Sequence, residues 1–325
     1  MTVPPANTLT IVGHADAQAL LATLAAHTLL FTGPPGVGKR STAYWLAARY
    51  NCTAAQADRP CGTCPSCQLF LAGQHPDYRE VRPQQTTKSG RLSRRPIISI
   101  GQLVPRDSSG DTEPLSTWLE QRPRFARRVA VIVSADTLTD EAANAFLKLL
   151  EEPPSYATIV LTASSGDSVL PTVVSRATPL RFGALQQADL DTLASASLAS
   201  DSLAHSTFQH PLTRLGRARD VYIQTQQPEE VGTLVKGVDD YVEALSGSLE
   251  QAFVQADMLE KAWSSPDQAI AVVDLLRAKL STWPPTPRAQ ALSHVDACAE
   301  ALESYATASL AVQCLTLNLR KTLVT

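Results

Sequence analysis

Residues 33–40 read GPPGVGKR and have the spacing of a nucleotide phosphate-binding loop except at the last position. In the pattern GxxxxGK[S/T], backbone N–H groups surround phosphate oxygens, the lysine reaches the outer phosphates and the hydroxyl binds Mg²⁺. Arg40 replaces that hydroxyl, and a guanidinium has no lone pair to give to a metal. The loop therefore predicts a phosphate cradle without its metal anchor. Its candidate nucleotide-binding residues are Gly33, Gly36, Gly38, Lys39, Arg40 and Ser41.

The second metal-organising position of an ATPase is also missing. The run VAVIV at residues 129–133 is typical of a buried parallel strand, which in an ATPase ends in Asp-Glu. Val133 and Ser134 stand there instead, and Asp136 comes two residues too late. Because both positions are lost, we expect the chain alone to hydrolyse no ATP. The sequence leaves open whether nucleotide or phosphate still binds to Lys39 and the loop amides.

Four of the six cysteines have the spacing of a metal site. Cys52, Cys61, Cys64 and Cys67 form the pattern C-x8-C-x2-C-x2-C. In a reducing compartment such a cluster indicates a metal rather than disulfides. Four thiolates complete a closed tetrahedral zinc site, which leaves no position for a reactive water. The pattern therefore predicts a structural Zn²⁺, and it disfavours the alternative of four thiols without a metal.

These residues require a scaffold of alternating strands and helices. A β-prone run at 28–32 enters the glycine loop, and residues 41–50 have the composition of a helix. Thr139 is a helix N-cap followed by two acidic residues, and the apolar run 157–162 predicts a further strand. Such alternation around a phosphate loop predicts a parallel α/β sheet.

Composition limits the class of protein. A chain of 325 residues with 44% hydrophobic and 18% charged residues is expected to be globular and to form two or three domains. The net charge of −3 provides no general attraction to nucleic acid. With neither a long apolar stretch nor a cationic signal-peptide start, we expect a cytoplasmic protein. The polar segment 84–113 carries a basic run at 91–95, for which a solvated loop is favoured over a phosphate contact.

The motifs occur in the order found in the bacterial clamp loader, the AAA+ assembly of DNA polymerase III. Besides the loop and the cysteines, the chain resembles this family in AANAFLKLLEEPP at 142–154 and PTVVSR at 171–176. The resemblance covers residues 10–180 strongly and the remainder only in outline. Within the family the chain is similar to delta-prime rather than tau/gamma subunits. The latter would carry Lys-Thr or Lys-Ser at 39–40 and Asp-Glu at 133–134.

The resemblance implies three domains. The first, at 1–178, would be an α/β AAA+ domain with a phosphate loop, a parallel sheet and a zinc module at about 52–67. A small helical lid would follow at 179–222, with a second nucleotide-sensing residue near Arg217. The all-α region at 223–325 would pack into an oligomeric collar. A self-contained helical bundle remains the alternative for this region, because the helical pattern is the same in both cases.

The resemblance also implies a function. The chain would be a non-hydrolysing subunit of the DNA polymerase III holoenzyme that helps to load the sliding clamp onto primed DNA. Its partners would be tau/gamma and delta subunits in a hetero-pentamer. The pair Ser175-Arg176 matches the family's Ser-Arg-Cys motif, although Ala177 replaces the cysteine. Arg176 would then act in trans on a neighbour's ATP, because its planar guanidinium binds phosphate oxygens bidentately. The alternative is an ordinary surface arginine.

Two other functions are weighed against this one. An active tau/gamma-like clamp-loader ATPase predicts Mg²⁺-dependent turnover by the isolated chain, and the lost acidic residues disfavour it. A zinc-bearing nucleic-acid-binding module predicts salt-sensitive DNA binding by the chain alone. The acidic net charge and the sparse aromatic residues disfavour that function. The sequence does not identify the flanking subunits or the surface that contacts DNA.

Overall fold

The computed structural model describes residues 9–24, 26–86, 92–105, 113–197, 217, 228–262, 266–303 and 307–324. The chain divides into two compact units, with the boundary between Leu185 and Gln186. The first unit contains a parallel β-sheet flanked by helices, and the second is built from helices.

A five-stranded sheet forms the centre of the first unit, with strand order β2-β5-β6-β1-β7 and parallel pairing throughout. A separate antiparallel pair, β3 and β4, lies within the polar segment 84–113. The strands are β1 (Thr28–Thr32), β2 (Tyr78–Val81), β3 (Gln84–Thr86), β4 (Leu92–Ile97), β5 (Arg128–Ile132), β6 (Ala157–Ala163) and β7 (Thr178–Arg181). The basic run at 91–95 therefore enters β4 rather than a loop, although its side chains lie outside the described residues.

The helices of the first unit cover both faces of the sheet. They are α1 (Ala15–Thr23), α2 (Lys39–Asn51), α3 (Pro65–Leu71), α4 (Ile100–Leu103), α5 (Leu115–Glu120), α6 (Asp140–Glu151) and α7 (Pro171–Val174). One core joins alternate strand residues such as Leu30 to Phe146 of α6. The other joins their neighbours, such as Phe31, to Trp45 of α2. Because both faces are covered, β1, β5 and β6 are buried along their whole length, as the continuous apolar run of β5 predicted for that strand.

Helix α6 begins and ends as the sequence indicated. The Thr139 hydroxyl accepts a hydrogen bond from the Ala142 N–H at 3.2 Å, and Asp140 and Glu141 occupy the first turn. Both features stabilise a helix N-terminus. The helix ends at Glu151, ahead of the double proline at 153–154. This places the carboxylate of Glu151 close to the segment that follows α7.

The second unit contains α8 (Gln187–Ser197), α9 (Pro228–Ala244), α10 (Leu249–Ala262), α11 (Pro266–Leu280), α12 (Pro285–Glu303) and α13 (Ala308–Val324). Leucine, valine and alanine side chains of α9 to α13 share one core, which includes the fully buried Tyr241. The Tyr241 hydroxyl is hydrogen-bonded to the Thr316 hydroxyl at 3.0 Å, so the buried phenol is satisfied. In the described part of the chain, no helix has the length and apolar character needed to cross a membrane.

The segment 179–222, expected to be a lid, lies mostly outside the described residues. The described part of it consists of residues 179–197, which include the end of β7 and helix α8, and of Arg217. β7 is hydrogen-bonded to β1 and includes residues 179–181, so the sheet-bearing unit extends to Leu185 rather than 178. The architecture is an α/β phosphate-loop domain with a parallel sheet, a four-cysteine cluster and a helical C-terminal unit.

Candidate functional site

The phosphate loop connects the end of β1 to the start of α2. Gly33, Gly36 and Gly38 have φ angles of 146°, 83° and 107°, which favour glycine. At Gly33 there is also no room for a side chain, because a Cβ atom would lie 2.1 Å from the Phe182 carbonyl oxygen. All three sequence-predicted glycines thus determine the loop conformation through their backbone angles, and Gly33 is required by the close approach of Phe182 as well.

The Lys39 side chain folds back onto the phosphate loop. Its Nζ donates hydrogen bonds to the carbonyl oxygens of Gly33 and Pro34, at 2.6 and 2.7 Å. His14, which belongs to no motif in the sequence, donates from Nε2 to the Val37 carbonyl oxygen at 2.8 Å. Ser41 follows in the first turn of α2 and is partly buried. The loop therefore has the conformation of a phosphate cradle, with its lysine held by the backbone.

Arg40 occupies the position of the metal-binding hydroxyl and makes an internal ion pair. Its Nε donates to both carboxylate oxygens of Glu80, at 2.8 and 3.0 Å. The Glu80 carboxylate also accepts hydrogen bonds from the Tyr78 hydroxyl and from Arg82, and its side chain is only 9% exposed. Burial acts to raise the pKa of Glu80, but the hydrogen bonds from Arg40 and Tyr78 outweigh it and lower the pKa. The charge of Arg40 is therefore balanced inside the chain.

The end of β5 offers no carboxylate at the two positions where an ATPase has them. Ser134 has a left-handed conformation with φ of 58°, and its N–H donates to the Thr162 hydroxyl at 3.1 Å. Asp136 lies in the following turn, where its carboxylate accepts a hydrogen bond from the Ser164 hydroxyl at 3.2 Å. These two hydrogen bonds thus connect the segment to Thr162 and Ser164 of the neighbouring strand and loop.

The four cysteines converge into one cluster. The sulfur atoms of Cys52, Cys61, Cys64 and Cys67 all lie within 4.8 Å of one another. The Cys64 and Cys52 sulfurs are 3.9 Å apart, and a tetrahedral zinc site with Zn–S bonds of about 2.3 Å needs about 3.8 Å. Backbone N–H groups of Cys61, Cys64 and Cys67 donate to neighbouring sulfurs at 3.3–3.4 Å. The donor set and the spacing fit a metal ion such as zinc.

Hydrogen bonds at the cluster favour the thiolate form at two cysteines. The Thr63 hydroxyl donates to the Cys61 sulfur at 3.5 Å and, with backbone N–H groups, lowers the pKa of Cys61 to about 6. At Cys64, burial acts to raise the pKa, but hydrogen bonds from the backbone outweigh it and lower the pKa. Burial raises the pKa of Cys67. A bound divalent cation would favour the thiolate form of a buried cysteine such as Cys67, because its positive charge offsets the cost of burying the anion.

His75 attaches the cysteine module to the sheet. Its ring stacks on Phe70 of α3 with a centroid distance of 3.9 Å, and its Nε2 is hydrogen-bonded to the Ser66 hydroxyl at 3.1 Å. Burial lowers the pKa of His75 to about 4, so the ring is neutral and fits an aromatic environment. The cluster starts where α2 ends, and the phosphate loop lies at the other end of this helix, about 20 Å away at 1.5 Å per residue.

Arg176 lies just after α7, and its guanidinium is held by Glu151. Nε and Nη2 donate to the Glu151 carboxylate at 2.7 and 2.5 Å, and Nη1 donates to the Thr172 carbonyl oxygen at 2.9 Å. The Ser175 hydroxyl is 3.2 Å from Nη1. The Arg176 side chain is 33% exposed and that of Glu151 is 48% exposed. The arginine is therefore oriented by its own chain but remains accessible from outside.

Arg217, the residue near which the sequence predicted a second nucleotide sensor, lies in the helical unit. Its Nη1 forms an ion pair with Asp274 of α11, whose side chain is only 6% exposed. Asp274 also accepts a hydrogen bond from Arg277 at 2.9 Å. The immediate electrostatic partner of Arg217 in the described residues is therefore this buried carboxylate.

Comparison with known proteins identifies the family. The sequence profile described as "DNA polymerase III, delta subunit" matches residues 14–186. The chain is 34% identical over 151 residues to "DNA polymerase III subunit delta'" of Pseudomonas aeruginosa, covering 46% of the chain and 41% of that protein. It is 30% identical over 150 residues to "DNA polymerase III subunit gamma/tau" of Mycobacterium tuberculosis, covering 46% of the chain and 23% of that protein.

Among solved structures, a DNA polymerase III gamma subunit-related protein of Thermotoga maritima matches with 16% identity and a TM-score of 0.49, over 94% of the chain and 98% of that protein. The chain spans less than half the length of the curated relatives it matches. The profile match extends over more than half of the chain and includes the phosphate loop, the four cysteines and Arg176. The predicted resemblance is confirmed, and the chain belongs to the DNA polymerase III delta-subunit family.

Proposed function

We propose that the chain is a delta-prime-type subunit of the DNA polymerase III clamp loader that hydrolyses no ATP itself. The ion pair between Arg40 and Glu80 is the observation that carries this proposal. It places a neutralised cation where an active site would present a hydroxyl to Mg²⁺. Val133 and Ser134 leave the second metal position without a carboxylate. Such a chain retains the fold of an ATPase without its metal chemistry.

The partners in this proposal are tau/gamma and delta subunits, which together with the chain form a hetero-pentamer. Relatives named as delta' and gamma/tau subunits support this choice. The complex would load the sliding clamp onto primed DNA. In the same proposal the AAA+ domain, expected at 1–178, extends to Leu185, the lid with a second sensor near Arg217 follows up to 222, and 223–325 form the collar that joins the subunits.

The cysteine module would hold one structural Zn²⁺. Thiolates of Cys52, Cys61, Cys64 and Cys67 would fill all four tetrahedral positions, so no water could be activated there. When bound, the ion would offset part of the thiolate charge and stabilise the module. The residues of the chain would determine its position through the backbone N–H donors and through His75, which connects the module to the sheet.

Arg176 would supply a catalytic guanidinium in trans, with Ser175 beside it. A neighbour's phosphate can take the place of Glu151, because an ion pair as exposed as this one contributes only about 0–1 kcal/mol. The planar guanidinium then offers two parallel donors to the phosphate oxygens. A finger of this kind accelerates phosphoryl transfer by roughly 10³–10⁵-fold.

A reconstituted complex tests this role. Purified chain, wild type or Arg176→Ala, is mixed with tau/gamma and delta subunits, and DNA-stimulated ATPase and clamp-loading rates are measured. We expect the Arg176→Ala complex to assemble normally, to hydrolyse ATP more slowly at the one site that faces this chain, and to load clamps poorly. Arg176→Lys should rescue little, because an ammonium group cannot make the planar bidentate contact.

Glu151→Gln is the matched control. It removes the same internal ion pair as Arg176→Ala but keeps the arginine. If the finger role is right, the Glu151→Gln complex retains nearly wild-type rates. Two results would exclude action of Arg176 on a neighbour's ATP. One is an Arg176→Ala complex that matches wild type in both assays, and the other is a Glu151→Gln complex whose rates fall as far as those of the Arg176→Ala complex.

A further inference from the structure

Five arginines lie around the edge of the sheet at which the parallel strands begin. The phosphate loop follows the carboxyl end of β1 and lies at the opposite edge. Helix α2 runs from the loop back to this second edge, where Asn51 meets the segment before β5. We call the cluster the arginine rim, and its members are Arg49, Arg59, Arg122, Arg124 and Arg127.

Direct contacts bring the members from α2, the cysteine module and the β5 approach together. Nη1 of Arg49 donates to the Arg59 carbonyl oxygen at 2.7 Å. The Arg127 guanidinium lies over the ring of Tyr50, 5.2 Å from its centroid. Burial raises the pKa of Tyr50, and both Arg127 and Arg49 oppose that rise, so the two cations act on the same phenol.

The segment that carries Arg122, Arg124 and Arg127 is anchored through its backbone. The N–H groups of Arg124 and of the next residue donate to the two carboxylate oxygens of Asp77, at 2.9 and 2.7 Å. The next two N–H groups donate to Oδ1 of Asn51. These contacts use only backbone N–H groups, so the side chains of Arg122 and Arg124 take no part in them and stay exposed. A phosphate would therefore meet cations on a backbone that is already ordered.

The rim has a local excess of positive charge despite the net charge of the chain. None of its five guanidiniums forms an ion pair within the part of the chain that the structure describes. The Asp77 carboxylate accepts hydrogen bonds from backbone N–H groups. Among the described residues, the exposed carboxylates near the rim are Asp58 and Glu120, which neighbour it along the chain, and Glu113, which contacts Gln121 and is itself paired with Arg79. Because charges in solution are screened beyond about 10 Å, this local excess determines what binds here.

We propose that the arginine rim binds the phosphate backbone of DNA, which gives the chain a DNA contact of its own, remote from the phosphate loop. Guanidiniums are the cations best suited to phosphate, because they bind it bidentately. Within the described residues, the segments that carry the rim, 49–59 and 120–127, contain no exposed large apolar residue of the kind that a protein partner would be expected to contact. The choice of DNA among polyanions rests on the proposed function.

The test uses the purified full chain and a short fluorescein-labelled DNA duplex of arbitrary sequence, with anisotropy measured over a range of salt concentrations. Arg122→Gln combined with Arg124→Gln removes two exposed cations and keeps the backbone anchors to Asp77. We expect wild type to bind with a negative slope of log K against log salt. The double variant should bind more weakly to any sequence and reduce that slope by about two.

Lys148→Gln combined with Lys236→Gln is the control, because it removes two exposed cations elsewhere. It should leave both affinity and slope unchanged. The proposal is overturned if wild type binds no duplex at low salt, if the rim variant behaves as wild type, or if the control loses as much. If only capture of tau/gamma or delta subunits falls in the rim variant, the rim is a protein contact and DNA is the wrong partner. None of these outcomes affects the test of Arg176, which measures ATP turnover.

Discussion

At the residue scale, Arg40 shows how one substitution can remove the chemistry of a loop and keep its shape. The loop retains its glycine backbone angles and its lysine, but the Arg40 side chain turns to Glu80 on β2. A carboxylate that is 9% exposed requires a cation, since unpaired buried charge is costly. Arg40 therefore stabilises the buried charge of Glu80. If a hydroxyl residue replaced Arg40, the Glu80 carboxylate would keep only its hydrogen bonds from Tyr78 and Arg82.

We therefore predict that the isolated chain has no Mg²⁺-dependent ATPase activity and that Arg40→Thr does not create it. The replacement restores a hydroxyl, but Val133 and Ser134 still provide no carboxylate to hold the metal or polarise water. The measurement is phosphate release by purified chain with and without Mg²⁺. Steady hydrolysis by wild type that disappears in Lys39→Ala would contradict the prediction and favour an active tau/gamma-like ATPase.

Spacing along the chain singles out candidate residues of the loop and of the cysteine cluster, but it does not reveal which distant residues they contact. Lys39 and Arg40 follow from the loop pattern, and the four cysteines follow from theirs. Glu80 is 40 residues from Arg40, and Glu151 is 25 residues from Arg176. Such pairs form only when strands and helices are packed, so no local pattern reveals them.

At the element scale, the cysteine module is connected to the rest of the first unit through both of its ends. It leaves α2 after Asn51, whose amide accepts and donates hydrogen bonds to the segment before β5. It returns through α3, where Phe70 packs against His75 ahead of β2. A metal that orders the module therefore stabilises two points of contact with the sheet.

We predict one tightly bound Zn²⁺ per chain and its loss in Cys64→Ser. Cys64 is also the N-cap of α3, where its sulfur accepts the Cys67 N–H, and serine is a good N-cap. The replacement therefore keeps the cap and removes the thiolate. Metal analysis after dialysis, with thermal unfolding measured in parallel, should show less zinc and a lower midpoint. Cys314→Ser, an exposed cysteine outside the cluster, should retain both, and undiminished zinc in Cys64→Ser would refute the site.

Prediction of the elements themselves succeeded for buried strands and failed for exposed ones. The continuous apolar runs identified β1, β5 and β6, because strands covered on both faces need apolar residues throughout. The edge strand β7 has only Leu180 buried, so its residues 179–181 were assigned to the lid. β3 and β4 form a two-stranded pair in a polar segment, where pairing rather than burial defines the strand.

At the scale of the whole molecule, helices α9 to α13 of the C-terminal unit share one core, and apolar side chains are exposed along α13. Leu310, Cys314 and Leu317 are exposed at spacings of four and three residues, so they lie on one side of the helix. Leu317 lines a groove of about 1040 Å³ that also includes Leu249 of α10 and Ala289 of α12. In a self-contained bundle these neighbouring leucines would stay in contact with water, which is unfavourable, whereas in a collar another subunit would cover them.

The last prediction therefore separates a collar from a self-contained bundle, and it depends on the proposed function. Leu317→Glu places a charge in the groove, and because Leu317 is 41% exposed the chain should still fold. We expect size-exclusion chromatography with tau/gamma and delta subunits to show a marked loss of assembled complex, since association would have to remove the new carboxylate from water and would lose the apolar contact of Leu317. Met258→Glu, on α10 and 58% exposed but outside the groove, should assemble as wild type. If Leu317→Glu also assembles normally, the groove is no subunit interface; if both variants fail equally, general charge or solubility explains the loss.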